Sequence, residues 1–216
     1  MILTVVSTVI SFSLILGGIL LMMTANKPIN GAVGFKTQRL ICRPFQQGDE
    51  TDMFDYWAAD PDIQIEYGES VYQTPEQTKA LLGKYIKDYD LSGYYRWAII
   101  EKQSGHNIGQ IAFCKVFDDV KTAEIEYCIS KRCRGKGYAG EALAGLISYA
   151  FENTNFDRLE AYHRAENTKS GRVLVKSKMH MTDTVERFKR AGEQPTGEVC
   201  YCIEREEYQR SKEDNQ

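Results

Sequence analysis

The chain has 216 residues, 43% hydrophobic and 26% charged, with 27 Lys+Arg against 30 Asp+Glu and a formal net charge of −3. That length holds one globular domain with a full core plus a short extra segment. The acidic balance argues against a general nucleic-acid binder, which needs a cationic surface to release counterions from phosphates. Six cysteines, at 42, 114, 128, 133, 200 and 202, form no C-x-x-C pair, and only three histidines accompany them, so no zinc spacing is present and no metal is expected. They read as reduced thiols, with Cys200 and Cys202 filling core on an apolar strand.

Residues 1–23 carry no charge, and as a helix at ~1.5 Å per residue they would cover ~35 Å, enough to cross a bilayer. Nothing basic precedes the run and Leu21-Met22-Met23 closes it, which favours a retained transmembrane helix over a cleaved signal peptide. Lys27, Lys36, Arg39 and Arg43 follow it, so the positive-inside rule places the large domain in the cytoplasm of a single-pass membrane protein. The alternative is a cytoplasmic protein of which the apolar leader is no working part. Residues 24–36 read as a linker, 37–205 as the domain and 206–216 as a polar, frayed tail.

Within the domain, 39–45 reads as a strand, followed by a helix from about Asp49 with Met53, Phe54, Trp57 and Ala58 on one face. Thr74-Pro75-Glu76-Gln77 is a helix start with a capping box, and Leu81, Leu82, Tyr85, Ile86 and Tyr89 form its buried stripe. Runs at 97–102, 107–116 and 123–129, separated by tight-turn residues, predict an antiparallel meander. A helix with Leu143, Leu146, Ile147, Ala150 and Phe151 on one face follows, then a strand at 158–165, a helix over about 167–178, and strands near 183–190 and 198–205.

Between meander and helix lies RCRGKGYAGEA, Arg132–Ala142. One register, Gly135-x-Gly137-x-x-Gly140, is the G-x-G-x-x-G of a dinucleotide-binding turn, with Glu160 where a ribose-binding acid would fall. Its context is that of another fold, because a long meander precedes it and only one parallel crossover fits afterwards. A Walker loop is excluded by Tyr138 after Gly137. What remains is a loop whose successive amides and helix dipole can wrap a pyrophosphate, with Arg132, Arg134 and Lys136 supplying charge. Gly135 and Gly137 let the backbone approach phosphate, and Gly140 is expected to permit close helix packing.

The ordered set TQRLICRPF, WAII, IGQIAF, AEIEYCIS, RGKGYAGEAL and RLEAYHRAENTKSGRVLVKSKM, spanning roughly 36–205, resembles the GCN5-related N-acetyltransferase (GNAT) superfamily, and within it the ribosomal-protein N-terminal acetyltransferases (RimJ/RimL-like). The resemblance implies an α/β (α+β) fold. Its mixed, mostly antiparallel sheet of six to seven strands is flanked by helices and splayed between the fourth and fifth strands, with acetyl-CoA in the opening. It implies that the amides of Arg134, Gly135, Lys136, Gly137, Tyr138 and Ala139 hold the pyrophosphate, and that backbone near Cys128 and Ile129 pairs with the pantetheine arm. The expected partner is an amine, on a small molecule or a peptide or protein N-terminus. Oligomeric state is left open.

Acetyl transfer to an amine needs a base for the amine proton and donors for the developing oxyanion, with proximity supplying much of the rest. A period of two puts Glu124, Glu126 and Cys128 on one side of their strand, beside the implied split. Burial and mutual repulsion would make one carboxylate a better base, and the similarity of AEIxxC to lysine-acetylating members lands on Glu124, with Glu126 second. The superfamily's helix tyrosine that protonates the leaving thiolate is here Leu174. The nearer branch has Asn and Ser in N-x-x-S, matched by Asn167 as a cofactor contact or helix N-cap and Ser170 as proton donor. Lys178 stands where the family has glycine, and would be strained if the turn needs positive φ. Cys133, between Arg132 and Arg134 near a helix start, has a setting that should depress its pKa, but it lies beside the phosphates and away from the thioester. Two other classes remain: a non-catalytic acyl-CoA-binding sensor and a nicotinamide-dependent oxidoreductase.

Overall fold

Eight strands form one sheet in the order β1-β2-β3-β4-β5-β6-β8-β7 in the computed structural model, which describes residues 32–214. They are β1 (Phe35–Lys36), β2 (Leu40–Arg43), β3 (Tyr95–Glu101), β4 (Asn107–Phe117), β5 (Thr122–Ile129), β6 (Arg158–Arg164), β7 (His180–Thr182) and β8 (Glu198–Glu204). All neighbours are antiparallel except β5 and β6, joined through the helix α4 (Tyr138–Asn153). The expected meander is therefore β3 to β5, and the single parallel pair leaves no dinucleotide fold around the glycine loop.

Before the meander come α1 (Glu50–Met53), continued by a π-helical turn at Phe54–Ala58, then α2 (Pro61–Tyr67) and α3 (Pro75–Asp88). α3 starts where its sequence says, with the Thr74 hydroxyl accepting from the Gln77 amide at 3.4 Å and the Gln77 side chain accepting from the Thr74 amide at 3.3 Å. α2 is begun by Asp60, which accepts from the Asp62 amide at 2.9 Å, and ended by Gly68 at φ +66°.

The sheet has a core on each face. Trp97, Ile99, Ile111, Phe113, Ala123, Ile125 and Leu159 pack with Leu143, Leu146, Ile147 and Ala150 of α4, while Ala98, Ile100 and Cys128 pack with Met53, Trp57, Ile63 and Leu82 from the helices before the meander. Alternation along β5 is thus as expected, with odd positions toward α4 and even positions on the opposite face.

Several expectations change. The sheet has eight strands rather than six to seven, because the short β1 and β7 add to its edges. β1 lies inside the stretch expected to be linker: Phe35 packs on Trp97 and Tyr149, with ring centroids 5.6 Å apart in each case. The strand expected at 183–190 lies earlier, as the three-residue β7, and the stretch itself is a turn leading into the helix α6 (Glu186–Ala191), whose first amide donates to buried Glu160 at 2.7 Å. The expected frayed tail contains α7 (Arg205–Glu213), docked by Tyr208 against Phe151 and by Lys212 against Glu152. The apolar run at 1–23, and with it the expected N-terminal helix and membrane association, lies outside the described residues. Among the described residues no helix is long and apolar enough to cross a membrane.

Candidate active site

The parallel ladder between β5 and β6 runs only from Thr122/Arg158 to Glu124/Glu160. Beyond it the two strands part, and Ile125–Ile129 has no strand on that side. Ser130 donates its amide to the Ile108 carbonyl at 2.7 Å, so the backbone groups of Ser130 and Cys128 face β4 and those of Ile129 and Tyr127 face the opening. Cys128 is therefore not positioned to offer its own backbone there. A Cβ on Gly109 would stand 2.1 Å from its carbonyl oxygen.

At the end of β5 the chain makes a short 3₁₀ turn at Lys131–Cys133 and then the glycine loop. Gly135 (φ +78°) and Gly137 (φ +83°) both take left-handed conformations that other residues resist. Gly137 is the N-cap of the helix α4 and supplies no side chain, so the amides that open α4 receive no side-chain cap. An uncapped helix start with positive partial charge, built from exposed backbone, is suited to an anion such as a phosphate group.

The loop is held by residues that sequence reasoning missed. Glu141, in the first turn of α4, accepts from the Thr37 hydroxyl, the Arg39 amide and Arg39 Nε, each at 2.6 Å, and Arg39 Nη1 donates to the Lys136 carbonyl at 2.9 Å. The Arg39 guanidinium also lies 4.6 Å from the centre of the Tyr138 ring, whose hydroxyl donates to Glu101. These partners are 97 to 104 residues from the loop in most cases, and no local pattern announces them. Cys133 is buried, and burial pushes its thiol above the ordinary range despite Lys136 and Arg132, the reverse of the depressed pKa expected for it.

Gly140 is not the packing glycine. A Cβ there would meet nothing within 4 Å, whereas one on Gly145 would meet Thr37 at 2.8 Å and Phe35 at 2.9 Å. The close approach of α4 to the sheet comes five residues later than expected, where β1 passes beneath it.

The two candidate carboxylates sit differently. Glu124, at the last rung of the closed ladder, is 2% exposed and accepts three hydrogen bonds from Arg187 of α6 at 2.6 to 3.1 Å, plus one from the Cys114 thiol at 3.1 Å. Glu126, beside the opening, accepts on Oε1 from Arg96 at 2.7 Å, and its Oε2 has no hydrogen-bond partner among the described residues. Arg96 also donates to Gln110 at 2.5 Å and to Tyr94 at 3.2 Å, and its guanidinium lies 4.6 Å from the centre of the Tyr85 ring. Tyr85 of α3 and Tyr94 of the α3–β3 turn thus flank the arginine that holds Glu126.

The far lip of the opening carries the helix α5 (Thr168–Lys176). Asn167 is its N-cap, accepting on Oδ1 from the Ser170 amide at 3.3 Å, while its Nδ2 donates to Glu66 at 3.0 Å. Burial pushes the Tyr127 phenol up to about 12, so it stays protonated and donates from β5 to the Ser170 carbonyl at 3.4 Å. Leu174 is buried in the α4-side core, and Lys178 takes φ +66°, the conformation that its position called for glycine to adopt. Among the described residues, no group of three His, Cys, Asp or Glu is arranged to hold a metal ion.

A strand edge left open beside an uncapped helix start is an arrangement suited to transfer of an acyl group from a phosphate-bearing carrier. Residues 39–180 match the family described as acetyltransferase (GNAT) domain, and the chain belongs to the GCN5-related N-acetyltransferases, enzymes of acetyl transfer to amines. It is 32% identical over 139 residues to the uncharacterized N-acetyltransferase p20 of Bacillus licheniformis, an alignment covering 64% of this chain and 77% of that one. The structure is similar to that of a GNAT-family acetyltransferase from Bacillus anthracis, with TM-score 0.66, 27% identity, and 81% and 99% of the two chains covered. It shares the fold of the ribosomal-protein-S5-alanine acetyltransferase from Vibrio fischeri at TM-score 0.65 and 16% identity, with 80% and 97% covered.

Proposed function

We propose that the protein transfers the acetyl group of acetyl-CoA to a primary amine, on a peptide or protein N-terminus or on a small molecule, by direct attack with both substrates bound. The observation that carries this reading is the open edge at Tyr127 and Ile129 running into the uncapped start of α4. Acetyl-CoA supplies the activated acyl group. The amides from Arg134 to Ala139 hold its phosphates, and the outward backbone groups of Tyr127 and Ile129 align its pantetheine arm.

Glu126 Oε2 takes the proton of the amine. It is the carboxylate oxygen at the opening without a partner, whereas both oxygens of Glu124 are committed to Arg187. The Ser170 hydroxyl gives a proton to the departing sulfur, and Asn167 fixes the turn that carries it. No covalent intermediate on the protein is needed.

The test is release of free CoA from acetyl-CoA with a panel of primary amines. Glu126→Gln should lower kcat by about 10²–10⁴ while acetyl-CoA affinity is kept. If the wild type binds acetyl-CoA tightly and turns over none of the amines, the non-catalytic acyl-CoA sensor replaces this reading.

A further inference from the structure

Helix α2 crosses the mouth of the opening and is clipped to both lips. At the β5 end, Asp62 pairs with Lys131 at 3.0 Å. One turn later, Glu66 reaches the β6–α5 end, where Oε1 accepts from Arg164 at 2.7 Å and Oε2 from Asn167 Nδ2 at 3.0 Å. Both clips are well exposed, with side chains 57% and 67% accessible in one and 36% and 47% in the other, so their Coulombic worth is small.

The consequence for Asn167 is geometric. An amide side chain presents an acceptor on one side and two donors on the other, and a carboxylate can only accept. Glu66 therefore turns the Asn167 NH₂ toward itself and leaves Oδ1 to cap the Ser170 amide at 3.3 Å. Without Glu66 nothing on α2 holds the amide in that orientation, and a turned side chain leaves the Ser170 amide only its 3.0 Å bond to the Asn167 carbonyl.

We infer that Glu66 is a positioning residue for acetyl transfer: from the strap helix it holds Asn167 in the orientation that caps α5 and presents Ser170 to the opening. This rests on the roles proposed above for Asn167 and Ser170. The relationship joins residues 101 positions apart and has no sequence signature.

The test uses the full chain with Glu66→Ala, Glu66→Gln, Arg164→Met, Asn167→Ala and the double variant Glu66→Ala/Asn167→Ala, measured as initial rates against acetyl-CoA and amine. Glu66→Ala should lower kcat/KM for acetyl-CoA by about fivefold, the equivalent of the ~1 kcal/mol of a lost N-cap, with the KM for amine unchanged. Glu66→Gln keeps an acceptor for Asn167 and Arg164→Met keeps Glu66, so both should stay within about twofold of wild type. The double variant should be no worse than Asn167→Ala alone.

A Glu66→Gln variant as impaired as Glu66→Ala, or losses that multiply in the double variant, would overturn the inference. Hydrogen exchange at the Ser170 amide, which also donates to the Asn167 carbonyl at 3.0 Å, reads the same geometry without turnover: protection should survive in Glu66→Gln and fall in part in Glu66→Ala. Equal protection in both sinks the inference even if no amine is acetylated. Absence of turnover in the wild type, with the exchange pattern as expected, counts against the proposed function alone.

Discussion

Arg187 closes on Glu124 from α6, with Nε 2.9 Å from Oε2 and Nη2 2.6 Å from Oε1. The carboxylate raises the guanidinium further above its ordinary range, and the pair ties β5 to an element 63 residues downstream. This geometry gives Glu124 a structural task. Arg187→Met should destabilise the protein by ~2–3 kcal/mol in urea unfolding, less than the ~3–5 kcal/mol of a fully buried pair because Arg187 is partly exposed. The pH dependence of kcat should be unchanged in that variant. A displaced profile would return Glu124 to the role of base.

The start of α4 should be sensitive to acid through Glu141. Burial works to raise its carboxyl, but hydrogen bonds from Thr37 and from the backbone and side chain of Arg39 outweigh it and hold the group below the ordinary glutamate range. Its contribution to stability is therefore complete above about pH 4.3, the usual unfolded value, declines as pH falls below that, and is gone beneath the lowered native value. Denaturation midpoints across this interval should fall less steeply in Glu141→Gln than in wild type, and at neutral pH that variant should be weaker by ~1–2 kcal/mol.

Gly135→Ala and Gly137→Ala place a Cβ on left-handed backbone at the loop. Each should cost ~1–2 kcal/mol of local conformation. Isothermal titration should show acetyl-CoA binding weakened by about tenfold or more, since the amides proposed to hold its phosphates depend on that conformation. Binding at wild-type strength in both variants would place the phosphates elsewhere.

Lys178, exposed and at φ +66°, is a strained residue whose replacement relieves the backbone. Lys178→Gly should gain about 1 kcal/mol and raise Tm by roughly 2–4 °C. Lys178→Ala, which keeps the Cβ, should gain nothing in calorimetry.

Alanine at two glycines of α4 should act with opposite signs. Gly140→Ala meets open space and gains up to ~1 kcal/mol of helix propensity. Gly145→Ala drives a methyl into Thr37 and into the Phe35 ring, which Trp97 and Tyr149 already hold, and should lose a net ~1–2 kcal/mol. Thermal melts of the two variants settle the comparison.

Local chemistry made much of this legible. The capping box at Thr74, the antiparallel meander, the apolar face from Leu143 to Phe151 and the period of two along β5 are short-range signals, and each stands as expected. The errors share another character. The 183–190 stretch has little periodicity, so its helix depends on Glu160 accepting from the Glu186 amide across the chain. The tail reads as polar throughout, and only the side of α4 shows why Tyr208 and Lys212 dock there. Gly140 and Gly145 look alike in sequence, and what separates them is whether β1 passes underneath.

By itself, then, the sequence determined the family, the order of elements from β2 to α5 and the left-handed glycine loop at the start of α4, because these depend on residues adjacent in the chain: glycines that permit left-handed backbone, basic neighbours and a helix start. The tertiary structure alone decided which groups face the opening. It paired Glu124 with Arg187 and left Glu126 beside the cleft, turned Ile129 outward and Cys128 inward, and set Glu66 against Asn167. Those outcomes depend on contacts between segments tens to a hundred residues apart, whose geometry exists only once the sheet has formed and parted.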